Sequence, residues 1–329
     1  MADDERLQDL PQVLVLGPPT TFPLIQSLCS HKFHFLNPET SSLPLHQFLA
    51  SDNRDPSSIR AILCSPRSRV SGEVLQLLPS VGLVLTTSVG LDHIELAECR
   101  RRGIQVAGAG TVFTEDVADM AVGLLIDVGV KISAASRHVR SRVGSGAGAF
   151  NFPTGFKLRG KRVGIVGLGN IGTETAKRLE AFGCIISYTS KNKKPSVSYP
   201  FYETILELAS VCDALILCCA LNQETRHMVN REVMMAMGKE GIIVNVGRGS
   251  LIDEKELVKC LVGREIGGAG LDVFENEPHV PPQLFELDNV VLSPHAAVFT
   301  FESTRAISEL MTANLEAFFS NSPLLSPAI

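Results

Sequence analysis

Val163-Gly164-Ile165-Val166-Gly167-Leu168-Gly169-Asn170-Ile171-Gly172 reads as a buried strand, a glycine turn and the opening of a helix. Gly167 lets the chain turn sharply, Gly169 lets backbone approach a pyrophosphate, and Gly172 lets helix and strand pack closely. Phosphates then meet the helix N-terminus, where free N–H groups and the positive dipole end favour anions. Gly167, Leu168, Gly169, Asn170, Ile171 and Gly172 are therefore the candidate dinucleotide-phosphate turn. A second glycine-rich stretch, Gly144-Ser145-Gly146-Ala147-Gly148, has no apolar strand before it and reads as a flexible loop.

Working outward, the alternation of strand and helix continues to the C-terminal side. Strands are predicted at 161–167, 184–189, 213–219, 242–247, 267–273 and 289–294, with helices between them and a terminal helix over 300–319. The N-terminal side alternates too. Strand candidates there are 13–17, 61–64, 83–87 and 104–107, with amphipathic pieces at 71–78 and 94–101. After Gly108-Ala109-Gly110, which reads as a loosened hinge, one long helix is expected over 114–140. Asp119 and Asp127 interrupt its apolar face. Such a helix would bridge domains, form a dimer interface or pack on its own domain. The pattern implies an α/β protein of two Rossmann-like, doubly wound parallel-sheet domains with a cleft between them. The division expected is 1–107 plus 300–329 as a flavodoxin-like substrate-binding domain, and 108–299 as the dinucleotide-binding domain.

Bulk properties agree with a globular chain of this size. The 329 residues are 45% hydrophobic and 20% charged, with net charge −5. No Lys/Arg block marks nucleic acid or an anionic membrane as a partner. The eight cysteines show neither CxxC nor Cys/His metal spacing, so no metal is expected, and they read as buried hydrophobes in a reducing compartment. Met1-Ala2-Asp3-Asp4-Glu5-Arg6 has no apolar h-region, no apolar run reaches membrane-spanning length, and the chain does not end in a peroxisomal address. A cytoplasmic location is expected.

The second strand of the dinucleotide unit ends in Thr189-Ser190-Lys191-Asn192-Lys193-Lys194. An acid there would bond a ribose 2′-hydroxyl and repel a 2′-phosphate. A hydroxyl with lysines suits the phosphate instead. NADPH is therefore expected as the preferred cofactor, with NADH possible, and Ser190, Lys191, Asn192 and Lys193 as its contacts.

Three later strands end in polar residues. They are Ile242–Gly249 with Arg248, Gly270–Pro278 with Glu275 and Glu277, and Val290–His295 with His295. Strand ends of one parallel sheet lie side by side, so these groups can converge. A guanidinium fork binds a substrate carboxylate, a histidine donates a proton to a carbonyl oxygen, and a carboxylate orients the histidine. Together with Ser88-Val89-Gly90-Leu91-Asp92-His93-Ile94 and the glycine turn, these segments resemble the D-isomer-specific 2-hydroxyacid dehydrogenase family over nearly the whole chain. Within it, the likeness is greatest to the hydroxyphenylpyruvate and the glyoxylate/hydroxypyruvate reductases.

The resemblance implies Arg248 as the substrate-binding arginine, Glu277 as the partner of the histidine and His295 as the acid/base. It implies that Asp272 bonds the nicotinamide carboxamide and that backbone N–H groups around Ser88, Val89 and Gly90 hold the substrate carboxylate. Val246, Gly247 and Ala297 complete the expected cofactor contacts. The implied reaction is NAD(P)H-dependent reduction of a small 2-oxo acid (hydroxypyruvate, glyoxylate or 4-hydroxyphenylpyruvate) to the D-2-hydroxy acid, in a homodimer. Alternatives are a family dehydrogenase of other specificity and a dinucleotide-sensing binding protein without turnover. His93 falls at a position that varies among relatives, Glu275 is expected to be exposed, and His279 is expected in a solvated turn. Arg67 and Arg69 read as a solvated loop, or as extra charge for a polar substrate tail. After His295, the sequence Ala296-Ala297-Val298 departs from the family pattern of glycine and serine, which bears on substrate range or rate.

Overall fold

The computed structural model describes residues 10–18, 22–41, 43–51, 55–141 and 152–328. The glycine-rich stretch at 144–148 lies outside the described residues. The chain divides into two compact units, residues 1–113 with 299–329, and residues 114–298.

The first unit is built on β1 (Gln12–Leu16), β2 (His34–Leu36), β3 (Ile59–Cys64), β4 (Leu83–Thr86) and β5 (Gln105–Ala107). They pair in parallel in the order β2-β1-β3-β4-β5, the flavodoxin-like winding. Leu14, Ile62, Leu63, Val84 and Leu85 are fully buried, as the continuous apolar runs of a sheet covered on both faces require. β2 is not legible in the sequence. Three residues, His34-Phe35-Leu36, are too few to show a period.

Helices α1 (Pro23–Cys29), α2 (Leu45–Ala50), α3 (Gly72–Gln76) and α4 (Leu96–Arg102) lie between these strands. Ser71 caps α3 through Val74 N, and α4 closes on Gly103 in the left-handed region. The last helix, α11 (Phe301–Phe319), also belongs to this unit; Thr300 caps it by accepting from Ser303 N at 3.0 Å. Beyond it the tail folds back. The fully buried Asn314 accepts from Leu325 N at 3.0 Å, Ser326 Oγ donates to Gly108 O at 2.7 Å, and Ala328 N donates to Val106 O at 2.8 Å.

The second unit opens with α5 (Thr114–Val130) and α6 (Ile132–Ser141). The single helix expected over 114–140 is thus two. Lys131 adopts φ +65°, and the Asp127 carboxylate accepts from both Ser133 N (2.7 Å) and Ser133 Oγ (2.5 Å), capping α6. The other interrupting acid, Asp119, pairs with Arg178 at 2.6 Å. Strands β6 (Arg162–Val166), β7 (Ile185–Thr189), β8 (Ala214–Leu217), β9 (Ile242–Asn245), β10 (Gly268–Leu271) and β11 (Val290–Leu292) each fall inside their predicted ranges. Helices α7 (Asn170–Ala181), α8 (Ile205–Val211), α9 (Arg231–Met237) and α10 (Glu254–Val262) alternate with them.

All six strands are parallel, in the order β11-β10-β9-β8-β6-β7. Gly268 and Gly270 let α5 lie directly on β10. A Cβ at either would come within 2.9 Å of Val128 or Leu124. No described helix is long and apolar enough to cross a membrane.

Candidate active site

In the second unit the winding reverses at β6, since β7 lies on one side of it and β8 on the other. The loops after β6 and β8 therefore part at their carboxyl ends, and ligands of doubly wound sheets bind at such a point. Gly167 ends β6 with φ +96°, and a Cβ there would lie 2.7 Å from the backbone of Cys219. A Cβ on Gly172 would lie 2.2 Å from Gly167 O, so α7 approaches the turn too closely for any side chain. Gly169 is different. It is the N-cap of α7, has no side-chain cap, and a Cβ there would meet nothing within 4 Å. The turn thus presents the uncapped N–H groups of a 12-residue helix to open space, which fits a pyrophosphate.

Val246 and Gly247 belong to the same crevice. A Cβ on Gly247 would stand 3.1 Å from Cys219 O, and Val246 N donates to Leu217 O. At the end of β7, Ser190 Oγ donates to Asn192 O at 2.7 Å, and Lys191, Asn192, Lys193 and Lys194 are exposed. No carboxylate stands between Thr189 and Glu203.

Arg248 follows β9 on a turn that the fully buried Asn245 holds. Asn245 Oδ1 accepts from Gly247 N at 3.1 Å and its Nδ2 donates to Arg248 O at 2.9 Å. Gly249 then passes against the Phe274–Glu275 backbone, so closely that a Cβ would fall 1.8 Å from Phe274 C. The arginine turn and the acidic loop after β10 are therefore one packed piece. Asn245 was not singled out from the sequence; a polar residue closing an apolar strand was its only signal.

That acidic loop carries two His/Glu pairs. His295 Nδ1 lies 2.8 Å from Glu277 Oε2 and 3.1 Å from Oε1, while Glu277 Oε1 also accepts from Phe274 N at 3.1 Å. A carboxylate accepts only, so Nδ1 carries the hydrogen and Nε2 faces away. In the second pair His227 Nε2 meets Glu275 Oε1 at 2.6 Å, joined by Arg226 at 3.0 Å. Glu275 is thus half-buried and engaged, not exposed as expected. Its own N–H donates to Glu254 Oε2 at 3.0 Å, and burial pushes the Glu254 carboxyl above its ordinary value. His279 is exposed in a turn closed by its N–H to Asn276 O.

His295 has φ +57°, and the turn around it is tied to Asp272. Asp272 is 1% exposed and accepts from Ser293 Oγ (2.6 Å), Ala296 N (2.8 Å) and Ala297 N (3.2 Å). Most of the carboxylate's acceptor capacity is used inside the protein. The buried Ala297 directs its N–H at this acid.

In the first unit, Ser88, Val89 and Gly90 form the turn after β4. Ser88 O accepts from Ala109 N at 2.9 Å, and Ser88 Oγ donates to Gly90 O at 2.7 Å. Gly108 is needed here for close approach rather than for looseness, since a Cβ would lie 2.8 Å from Ser88 O. Val89 and Gly90 donate no backbone hydrogen bond among the described residues. Arg67 and Arg69 are exposed on the loop after β3.

A nucleotide-binding winding with Arg, Glu and His gathered at neighbouring strand ends defines a dinucleotide-dependent oxidoreductase. The chain belongs to the D-isomer-specific 2-hydroxyacid dehydrogenases: the model of that family's NAD-binding domain matches residues 122–297. It is 54% identical over 318 residues to the glyoxylate/hydroxypyruvate reductase HPR3 of Arabidopsis thaliana, covering 96% of this chain and 97% of that one. It is 46% identical to the hydroxyphenylpyruvate reductase of Plectranthus scutellarioides over 273 residues, covering 83% and 86%. The NADPH-dependent glyoxylate/hydroxypyruvate reductase of Sinorhizobium meliloti, solved with NADP and malonate, superposes with a TM-score of 0.87 at 34% identity, covering 97% and 96%.

Proposed function

We propose that the chain reduces small 2-oxo acids to D-2-hydroxy acids, preferring NADPH and accepting NADH. Hydroxypyruvate, glyoxylate and 4-hydroxyphenylpyruvate are the candidate substrates, in keeping with the names of its relatives. The observation that carries this reading is the His295–Glu277 pair at 2.8 Å, which leaves the outer imidazole nitrogen to a ligand. Bound at the glycine turn, a reduced nicotinamide supplies the hydride to C2.

The protein's own groups do the rest. Gly167–Gly172 and the start of α7 hold the pyrophosphate. Ser190, Lys191, Asn192 and Lys193 take the 2′-phosphate, and Val246, Gly247 and Ala297 line the remainder. Arg248 grips the substrate carboxylate and polarises the oxo group beside it. His295 gives its Nε2 proton to the carbonyl oxygen while Glu277 steadies the imidazolium. Asp272 holds the His295 turn and keeps its remaining lone-pair direction for the carboxamide. The N–H groups of Val89 and Gly90, on the turn that Ser88 shapes, donate to the carboxylate.

The family resemblance carries a homodimer, and the exposed Val130, Ile132 and Val139 of α5 and α6 support one there. The eight free thiols support a reducing compartment, the cytosol. The deciding assay follows NADPH consumption with each of the three oxo acids, then repeats it with NADH. Turnover faster with NADPH is expected. Tight NADPH binding with no turnover on any of them would replace this reading with the sensing one.

A further inference from the structure

Behind the Ser88–Gly90 turn runs a chain of hydrogen bonds that ends on a histidine. Ser88 Oγ lies 2.7 Å from Gly90 O, Thr86 Oγ1 lies 3.0 Å from Ser88 Oγ, and His93 Nε2 lies 2.9 Å from Thr86 Oγ1. Thr86 is fully buried and Ser88 is 8% exposed. Each hydroxyl has a single hydrogen. The Ser88 hydrogen must go to Gly90 O, a pure acceptor. The Thr86 hydrogen then goes to Ser88 Oγ, so Thr86 Oγ1 accepts from His93, whose Nε2 must bear a hydrogen. The direction of every bond follows from the carbonyl at one end.

The neighbourhood keeps that order. Cys64 Sγ lies 3.8 Å from His93 Nε2, and burial pushes its thiol up to about 12, so no thiolate competes for the imidazole hydrogen. Ala109 N fixes Ser88 O from the other side at 2.9 Å. With the carbonyls of Ser88 and Gly90 both drawn inward, the N–H groups of Val89 and Gly90 are left without protein acceptors among the described residues. Val89 is 48% exposed, so this face of the turn is open to a ligand.

We propose that His93 is a positioning residue for the substrate carboxylate: through Thr86 and Ser88 it turns Gly90 O inward and holds the two N–H groups outward. This rests on the reading of Ser88–Gly90 as the carboxylate-binding turn. His93 touches no reacting atom. Its effect belongs to oxo-acid binding and leaves dinucleotide binding alone.

The test uses the full-length protein with NADPH and glyoxylate, and oxalate as a dead-end carboxylate probe. H93A removes the histidine end of the relay, T86V breaks it at its middle hydroxyl, and H93Q restores an N–H donor at similar reach. KM for glyoxylate and Ki for oxalate should rise about tenfold in H93A and T86V, as loss of one charge-supporting hydrogen-bonded network allows. The Kd for NADPH should be unchanged, and H93Q should return both constants to near wild type. A folded H93A and T86V with wild-type constants would overturn the proposal, and so would an H93Q no better than H93A. If H93A does not fold, T86V, which keeps the side-chain volume, decides alone. Oxalate that fails to compete with glyoxylate in the wild type would instead remove the carboxylate-turn reading itself.

Discussion

At the scale of single residues, the site depends on groups held by others. His295 is oriented by Glu277, and Glu277 by Phe274 N. Replacing His295 by Ala should cut kcat by about 10²–10⁴-fold, the range of a lost general acid. NADPH binding, read by fluorescence titration, should persist. Arg248→Ala should raise KM for the oxo acid by about tenfold to a hundredfold, from loss of charge-assisted bonds of ~1.5–3 kcal/mol, with a smaller effect on KM for NADPH. Ser190→Asp places a carboxylate where the 2′-phosphate is expected. The ratio of kcat/KM for NADPH to that for NADH should fall, and an unchanged ratio would refute the phosphate pocket. The thiols make a different prediction. Burial pushes those of Cys64, Cys212 and Cys218 up to about 12, and those of Cys219 and Cys260 to about 11. Neutral-pH labelling of native protein with a thiol reagent should therefore be slow, and fast only after denaturation.

At the scale of elements, the glycine turn was fully legible. Gly167 and Gly172 meet two separate physical requirements, a positive φ and close packing, and the residue type reveals both, while Gly169 faces open space. Gly172→Ala should destabilise the fold by ~1–3 kcal/mol, as overpacking does, seen as a lower denaturant midpoint together with weakened NADPH binding. Strands of the second unit were legible for the same reason, being apolar runs closed by polar residues.

What escaped the sequence were features made by contacts distant along the chain. The break at Lys131 follows from Asp127 reaching Ser133, which helical periodicity cannot register. Glu275 looked exposed because its partner His227 is 48 residues away. Gly108 reads as a loose hinge in the sequence because Ser88 O, which packs against it, lies 20 residues earlier in the chain. Asp272 was legible as a site residue, but its bonds to Ser293, Ala296 and Ala297 were not.

At the scale of the whole molecule, the first unit is made of two pieces of chain, 1–113 and 299–329, and the second of one continuous piece. The later piece of the first unit carries α11 and the tail that bonds to Gly108 and Val106. The order in which the ribosome delivers these pieces then matters. Chains emerge from the N-terminus, and domains fold as units. Residues 1–113 are made before the segment that completes their unit, so that unit can close only after 114–298 has emerged. Closure of the first unit is thus coupled to synthesis of the second, because the segment carrying α11 is made only after 114–298.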